Sequence, residues 1–228
     1  MSIQVIRPDY NDPEKYYRLS DNFAGAGVSS GQLGEGWALA GTNAHNAVVY
    51  DAEAGSMSNK GIVADSALDD FSRWIMWKCD VGNIAAGLRF RIRIKPVDLA
   101  TVYWHFGVVS DRSAGARPGT ASEFFGFRVD TAVDGKVYGV VKSGAGTEST
   151  VDLGLATSAA WRTYELRLGS SAMSFYVDGT LTGSAPLTHL MTVAGNTPTT
   201  QMWVQNLNAG ATRTVRITYL DLIAPTGY

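Results

Sequence analysis

The chain has 228 residues, 45% of them hydrophobic and 18% charged, with 25 glycines. That is the composition of a globular protein, and it excludes a disordered polyelectrolyte. A formal net charge of −2 gives no bulk attraction to nucleic acid or to an anionic membrane. The single cysteine, Cys79, excludes an intrachain disulfide and reads as a small buried apolar residue. No apolar run approaches the roughly 20 residues a membrane-spanning helix needs. No charged-then-apolar leader opens the sequence, so the expected site of synthesis is a cytoplasm, with no obvious export route.

Residues 1–20 combine prolines, mixed charge and three tyrosines without sustained periodicity. Such a segment buries little by itself and is expected to be an extended N-terminal arm. Ile3, Val5, Tyr10, Tyr16 and Tyr17 are the residues by which it would pack on its own domain or on a neighbour. From residue 21 onward, strand-like runs follow one another. They fall at 35–40, 46–51, 57–64, 71–80, 85–95, 101–109, 123–130, 136–142, 148–153, 161–168, 172–177, 200–207 and 212–223. Glycine, proline and Ser/Thr/Asn/Asp clusters punctuate them. A helical turn is conceivable only near 65–70 or 187–193. The expected architecture is all-β: a two-sheet antiparallel sandwich over 21–228, preceded by the arm.

Several strands show their faces. Leu88, Phe90, Ile92 and Ile94 alternate with Arg89, Arg91, Arg93 and Lys95. Period-two alternation puts the apolar set on a core and the cations on the opposite face. The cationic ladder reads first as a solvated strand face paired with acids such as Glu165, second as a contact surface for an acidic partner protein, and last as a surface for nucleic acid or an anionic glycan. Strand 71–80 is apolar on both faces, with Trp74 and Met76 opposite Phe71, Ile75, Trp77 and Cys79. Its second face is expected to be covered by the arm or by another subunit.

The stretch Trp161–Ser184, WRTYELRLGSSAMSFYVDGTLTGS, is the most specific. Two alternating runs are joined by a short polar turn, and Asp178-Gly179 supplies a second turn of the hairpin type. A W-x-x-Y-x-apolar strand followed by an F-Y-V-D-G strand resembles the concanavalin A-like lectin and glucanase jelly rolls. Laminarinase-type glycoside hydrolases are the enzymes it is most similar to, and laminin-G-like and bacteriophage virion modules share the shell. The resemblance implies a jelly roll over about residues 21–224. It implies little about function, because the fold hosts lectins, hydrolases, lyases and structural modules.

Laminarinase-type enzymes carry E-x-D-x-E on one strand, with its carboxylates on one face for nucleophile and acid/base roles. The corresponding run here is Glu123-Phe-Phe-Gly-Phe-Arg-Val-Asp130, with Phe124, Gly126 and Arg128 on one face and Phe125, Phe127 and Val129 on the other. It has no carboxylates at i and i+4 on a shared face. Asp51 and Glu53 flank a turn-like segment. His45, His105 and His189 lie on separate segments without metal-ligand spacing, and no metal or cofactor is expected. Asp65, Asp69 and Asp70 read as a solvated turn or cap, and Gly144–Thr150 lacks the context of a phosphate loop.

Two functional expectations follow. The first is a non-enzymatic virion structural protein, a bacteriophage capsid decoration protein. It would be made in the host cytoplasm and would bind the major capsid protein or another virion protein. Homo-oligomers, such as trimers, would assemble through the arm, Trp74, Met76, Arg89, Arg91 and Arg93. The second is a carbohydrate-binding module or a phage receptor-binding protein. Its glycan platform would be Tyr103, His105, Trp203 and Gln205, since sugars need aromatic surface beside planar polar groups. Neither expectation involves nucleic acid or membrane.

Overall fold

A computed structural model describes residues 16–21, 37–40, 48–51, 56–61, 71–78, 87–96, 99–100, 102–109, 124–131, 133–142, 148–187, 199–206 and 213–225. The described strands are β1 (Tyr16–Asp21), β2 (Trp37–Ala40), β3 (Val48–Asp51), β4 (Ser56–Gly61), β5 (Phe71–Lys78), β6 (Arg89–Pro96), β7 (Val102–Val109) and β8 (Phe124–Asp130). They continue as β9 (Lys136–Lys142), β10 (Ser149–Ala156), β11 (Arg162–Leu168), β12 (Ala172–Val177), β13 (Thr180–Pro186), β14 (Thr199–Asn206) and β15 (Arg213–Pro225). No helix occurs among the described residues.

Two antiparallel sheets result. One has eight strands in the order β13-β12-β11-β6-β15-β4-β3, with β1 also paired to β15. The other has seven, in the order β10-β9-β8-β7-β14-β5-β2. The long β15 makes the eight-stranded sheet possible. Its first half pairs with β4, its second half with β1, and β6 runs along its other side. The expected all-β sandwich is therefore what the chain forms. The expected arm boundary at residue 20 falls inside β1, whose Tyr16 and Tyr17 lie opposite Pro225 and Ala224. Residues 1–15 lie outside the described residues, as do both segments read as helical turns apart from Leu187.

The alternation read from the sequence decides the core. Phe90, Ile92 and Ile94 of β6, Trp104, Phe106 and Val108 of β7, Phe125, Phe127 and Val129 of β8, and Tyr164, Leu166 and Leu168 of β11 all face inward and are buried. An aromatic stack bridges the sheets. Trp104, Phe106 and Phe127 stack along β7 and β8 with centroids 5.2 Å apart at each step. Tyr164 of the opposite sheet meets all three rings edge-on at 5.2 to 6.0 Å. Each such pair contributes roughly 0.5–1.5 kcal/mol beyond the area it buries.

The β12–β13 turn is as its sequence demands. Asp178 and Gly179 take φ of 51° and 83°, the paired left-handed geometry that matches strand twist. The Asp178 carboxylate accepts a hydrogen bond from the Thr163 amide at 2.8 Å, and the Asp178 amide donates to the Thr163 carbonyl at 2.8 Å. The turn is thereby tied to the start of β11.

Candidate functional site

With one face of the seven-stranded sheet committed to the core, the other carries the polar and aromatic residues of β7, β8 and β9. Register pairs Tyr103 with Asp130, His105 with Arg128 and Gly107 with Gly126. It also pairs Phe124 with Lys142, Gly126 with Val140 and Arg128 with Tyr138. All of these point away from the Trp104–Phe127 stack, because neighbours directly opposite one another share a face.

One half of this surface is packed. His105 stands edge-on between Tyr103, at 5.7 Å, and Phe124, at 5.2 Å. All three are buried, and Phe124 packs with Val140 and Tyr138. The other half is a polar chain. Glu148, just before β10, forms an ion pair with Arg128. The Arg128 guanidinium lies 5.8 Å from the Tyr138 ring centroid. The Tyr138 hydroxyl donates to Asp134. Asp134 also accepts the Lys136 amide at 3.0 Å, and Lys136 Nζ meets Asp152 at 2.7 Å.

These contacts set the charges. The Tyr138 hydroxyl, then the Lys136 amide, holds the Asp134 carboxyl below its usual range. The same bond to Asp134 raises the Tyr138 hydroxyl. Lys136, then the Gly154 amide, holds Asp152 down. The result is a strip of fixed donors, acceptors and one aromatic face, with Glu148 paired to Arg128 and Asp152 on the register row of Arg128 and Tyr138. Among the described residues no group of three His, Cys, Asp or Glu is placed to hold a metal ion.

The residues expected to form a glycan platform do share this sheet. Trp203 pairs with His105, and Gln205 with Tyr103, in the β14–β7 ladder. Tyr103 and His105 are buried, however, so they do not present an exposed platform. The polar strip lies further along the sheet, on β8–β10. Arg128 was visible in the sequence as a residue on the non-core face of its strand. Glu148 was not, because nothing in the Gly-Thr-Glu-Ser sequence identifies its partner.

The expected contact residues are scattered. Ile3, Val5 and Tyr10 lie outside the described residues, and Tyr16 and Tyr17 are in β1. Trp74 and Met76 sit in β5 at register positions opposite Met202 of β14 and Trp37 of β2 respectively. Arg89, Arg91 and Arg93 lie on the outer face of the eight-stranded sheet, on the far side of the sandwich from the polar strip. Cys79, Glu53, His45, His189, Asp65, Asp69 and Asp70 lie outside the described residues.

No family model matches the chain, and no curated protein matches it. Solved structures do. A β-1,3-glucanase from Mycobacterium marinum is 12% identical with a TM-score of 0.61, covering 90% of this chain and 97% of its own. A Bacillus licheniformis β-glucanase is 17% identical with a TM-score of 0.61, covering 90% and 97%. A prokaryotic β-1,3-1,4-glucanase (lichenase) derived from a mouse hindgut metagenome is 13% identical with a TM-score of 0.63, covering 90% and 98%. At these identities the likeness is one of fold, and the fold is the concanavalin A-like jelly roll.

The comparisons correct the first functional expectation. Three solved structures that each match 90% of this chain are named as glucanases, and this overturns the expectation of a non-enzymatic capsid decoration protein. β8 lacks the E-x-D-x-E of laminarinase-type enzymes. That absence removes one placement of carboxylates on β8. It does not remove polar and acidic groups from the face, as Arg128, Asp130, Tyr138 and Glu148 show.

Proposed function

We propose that this protein acts on a β-linked polysaccharide, which it takes along the polar strip on the outer side of β8, β9 and β10. The observation that carries this reading is the Glu148–Arg128–Tyr138–Asp134 chain of contacts on that face. A sugar ring offers hydroxyls that both donate and accept, and an apolar face that rests on aromatic surface. Fixed guanidinium, carboxylate and phenol groups in one strip supply those counterparts with little ordering left to do on binding. The glucanase names of the matching structures support the same substrate class.

Glycosidic hydrolysis usually needs two carboxyl groups, one donating a proton to the leaving oxygen and one acting as base or nucleophile. On this strip Glu148, which Arg128 orients, is the carboxylate placed for one of these roles. Arg128 and Tyr138 bind and position the polymer.

The test uses the full-length chain with laminarin and with mixed-linkage β-glucan. Retardation in glucan-containing gels and release of new reducing ends are expected, with Glu148→Gln abolishing the release. Retardation without new reducing ends would assign the face to binding alone. Neither retardation nor release would overturn the proposal.

A further inference from the structure

The opposite side of the sandwich carries a surface unlike the polar strip. On the outer face of the eight-stranded sheet, β6 presents Arg89, Arg91, Arg93 and Lys95 at every second residue. Register places Glu165 opposite Arg91, and Arg167 opposite Arg89, on β11. It places Asp221 opposite Arg91, and Arg216 opposite Lys95, on β15. Along β6 and its two neighbours β11 and β15, six cations of this face therefore stand against two carboxylates. The whole chain has a net charge of −2. Positive charge is thus concentrated on one face of an otherwise acidic molecule.

The cations are held in place. Glu165, its side chain only 7% exposed, is shared by two guanidiniums: Arg89 at 2.8 Å and Arg167. One carboxylate between two guanidiniums leaves net positive charge at that point. Arg91 donates to the Tyr219 hydroxyl at 2.8 Å and lies 4.8 Å from the centroid of that ring. Arg93 and Lys95 lie 5.5 and 5.8 Å from the Trp161 ring, and Arg167 lies 4.1 Å from the Tyr176 ring. Aromatic neighbours fix a guanidinium without neutralising it. Arg93 is exposed, and 47% of the Arg167 side chain is exposed.

We propose that the outer face of the eight-stranded sheet binds a uronate-bearing polysaccharide. Successive cations on a strand are about 6.8 Å apart, so β6 offers a straight row of regularly spaced positive groups. A linear polymer with a carboxylate on each sugar matches such a row. The guanidinium fork fits a carboxylate through two parallel hydrogen bonds. A nucleic-acid duplex is a poorer match, because it carries a charge about every 1.7 Å, far denser than this row. This site is separate from the strip on the seven-stranded sheet and does not depend on its assignment.

Polygalacturonate is the probe. Full-length protein is expected to be retarded in polygalacturonate gels at about 50 mM salt, with retardation weakening as salt screens the contacts. Replacing both exposed cations, Arg93→Gln with Arg167→Gln, is expected to weaken binding at least about tenfold, the equivalent of one charge-assisted contact. Retardation by neutral β-glucan should be unchanged in that variant. The Arg93→Lys, Arg167→Lys variant keeps the charge and is expected to recover part of the binding. The proposal is overturned if wild-type protein ignores polygalacturonate, or if the double Gln variant binds it as wild type does. It is also overturned if poly-glutamate or single-stranded DNA is bound more tightly than polygalacturonate.

Discussion

Gly107 of β7 and Gly126 of β8 face each other so closely that neither position can carry a side chain. A Cβ on Gly107 would stand 2.7 Å from the Gly126 Cα and 2.1 Å from the Phe125 carbonyl oxygen. A Cβ on Gly126 would stand 2.9 Å from the Gly107 Cα and 2.2 Å from the Phe106 carbonyl oxygen. Both obstacles are backbone, which cannot swing aside. Gly126→Ala is therefore expected to destabilise the protein by about 1–3 kcal/mol or more, the usual range for overpacking. A fall in thermal midpoint of several degrees against wild type checks this, and an unchanged midpoint would refute it.

A second close approach joins the two sheets. A Cβ on Gly139 of β9 would lie 2.6 Å from ring atoms of Phe175 on β12. Phe175 is buried and packs edge-on to Phe127 at 5.4 Å, so its ring has nowhere to retreat. Gly139→Ala is expected to cost about 1–3 kcal/mol. Combining it with Phe175→Leu should recover part of that loss, and strict additivity in denaturant melts would show that the clash is not the cause.

Burial, opposed by Arg162, pushes the Tyr164 hydroxyl up to about 12 from its ordinary 10. The folded protein then holds this proton more tightly than the unfolded chain. The contribution is fully present below pH 10 and is lost as pH rises from 10 through 12. A shift of this size corresponds to roughly 3 kcal/mol. Tyr164→Phe keeps the ring in its stack and is expected to flatten the alkaline fall in stability between pH 10 and 12. An equally steep fall in the variant would assign the loss to other groups.

The buried Glu165 carboxylate separates Arg89 from Arg167. Glu165→Ala would leave two guanidiniums adjacent with no counter-charge between them. Because Arg167 is half exposed, solvent screens part of the effect, and a loss of about 1–3 kcal/mol is expected. Adding Arg89→Met to that variant should return some of the stability, measured as a rise in denaturant midpoint.

Most strands were legible because their faces differ. Leu88 to Lys95 alternates without a break, and β6 forms there with its apolar side on the core. β13 was missed: Thr180–Pro186 contains glycine, serine and proline and no apolar alternation. It is a strand because the Asp178-Gly179 turn folds it back onto β12. At Gly183, where a Cβ would meet Val151 at 2.8 Å, the missing side chain lets β10 of the other sheet approach. β1 was read as arm because the prolines and tyrosines around it show no period, and only the far end of the chain, in β15, gives it a partner. The polar strip was half legible. The side of β8 that carries Arg128 follows from alternation, but its pairing with Glu148, 20 residues away, depends on how β9 and β10 are laid side by side.

The pairing of β1 with β15 also bears on how this sandwich can be handled as a building block. Tyr16 and Pro225 are opposite one another in an antiparallel ladder, so their Cα atoms lie about 5 Å apart. The first and last described strands thus meet side by side at one edge of the fold. A circular permutant that joins these two points with a short linker and opens the chain elsewhere needs almost no span to cover. The same geometry would let the whole sandwich sit as an insert in a surface loop of another protein without prying that loop apart.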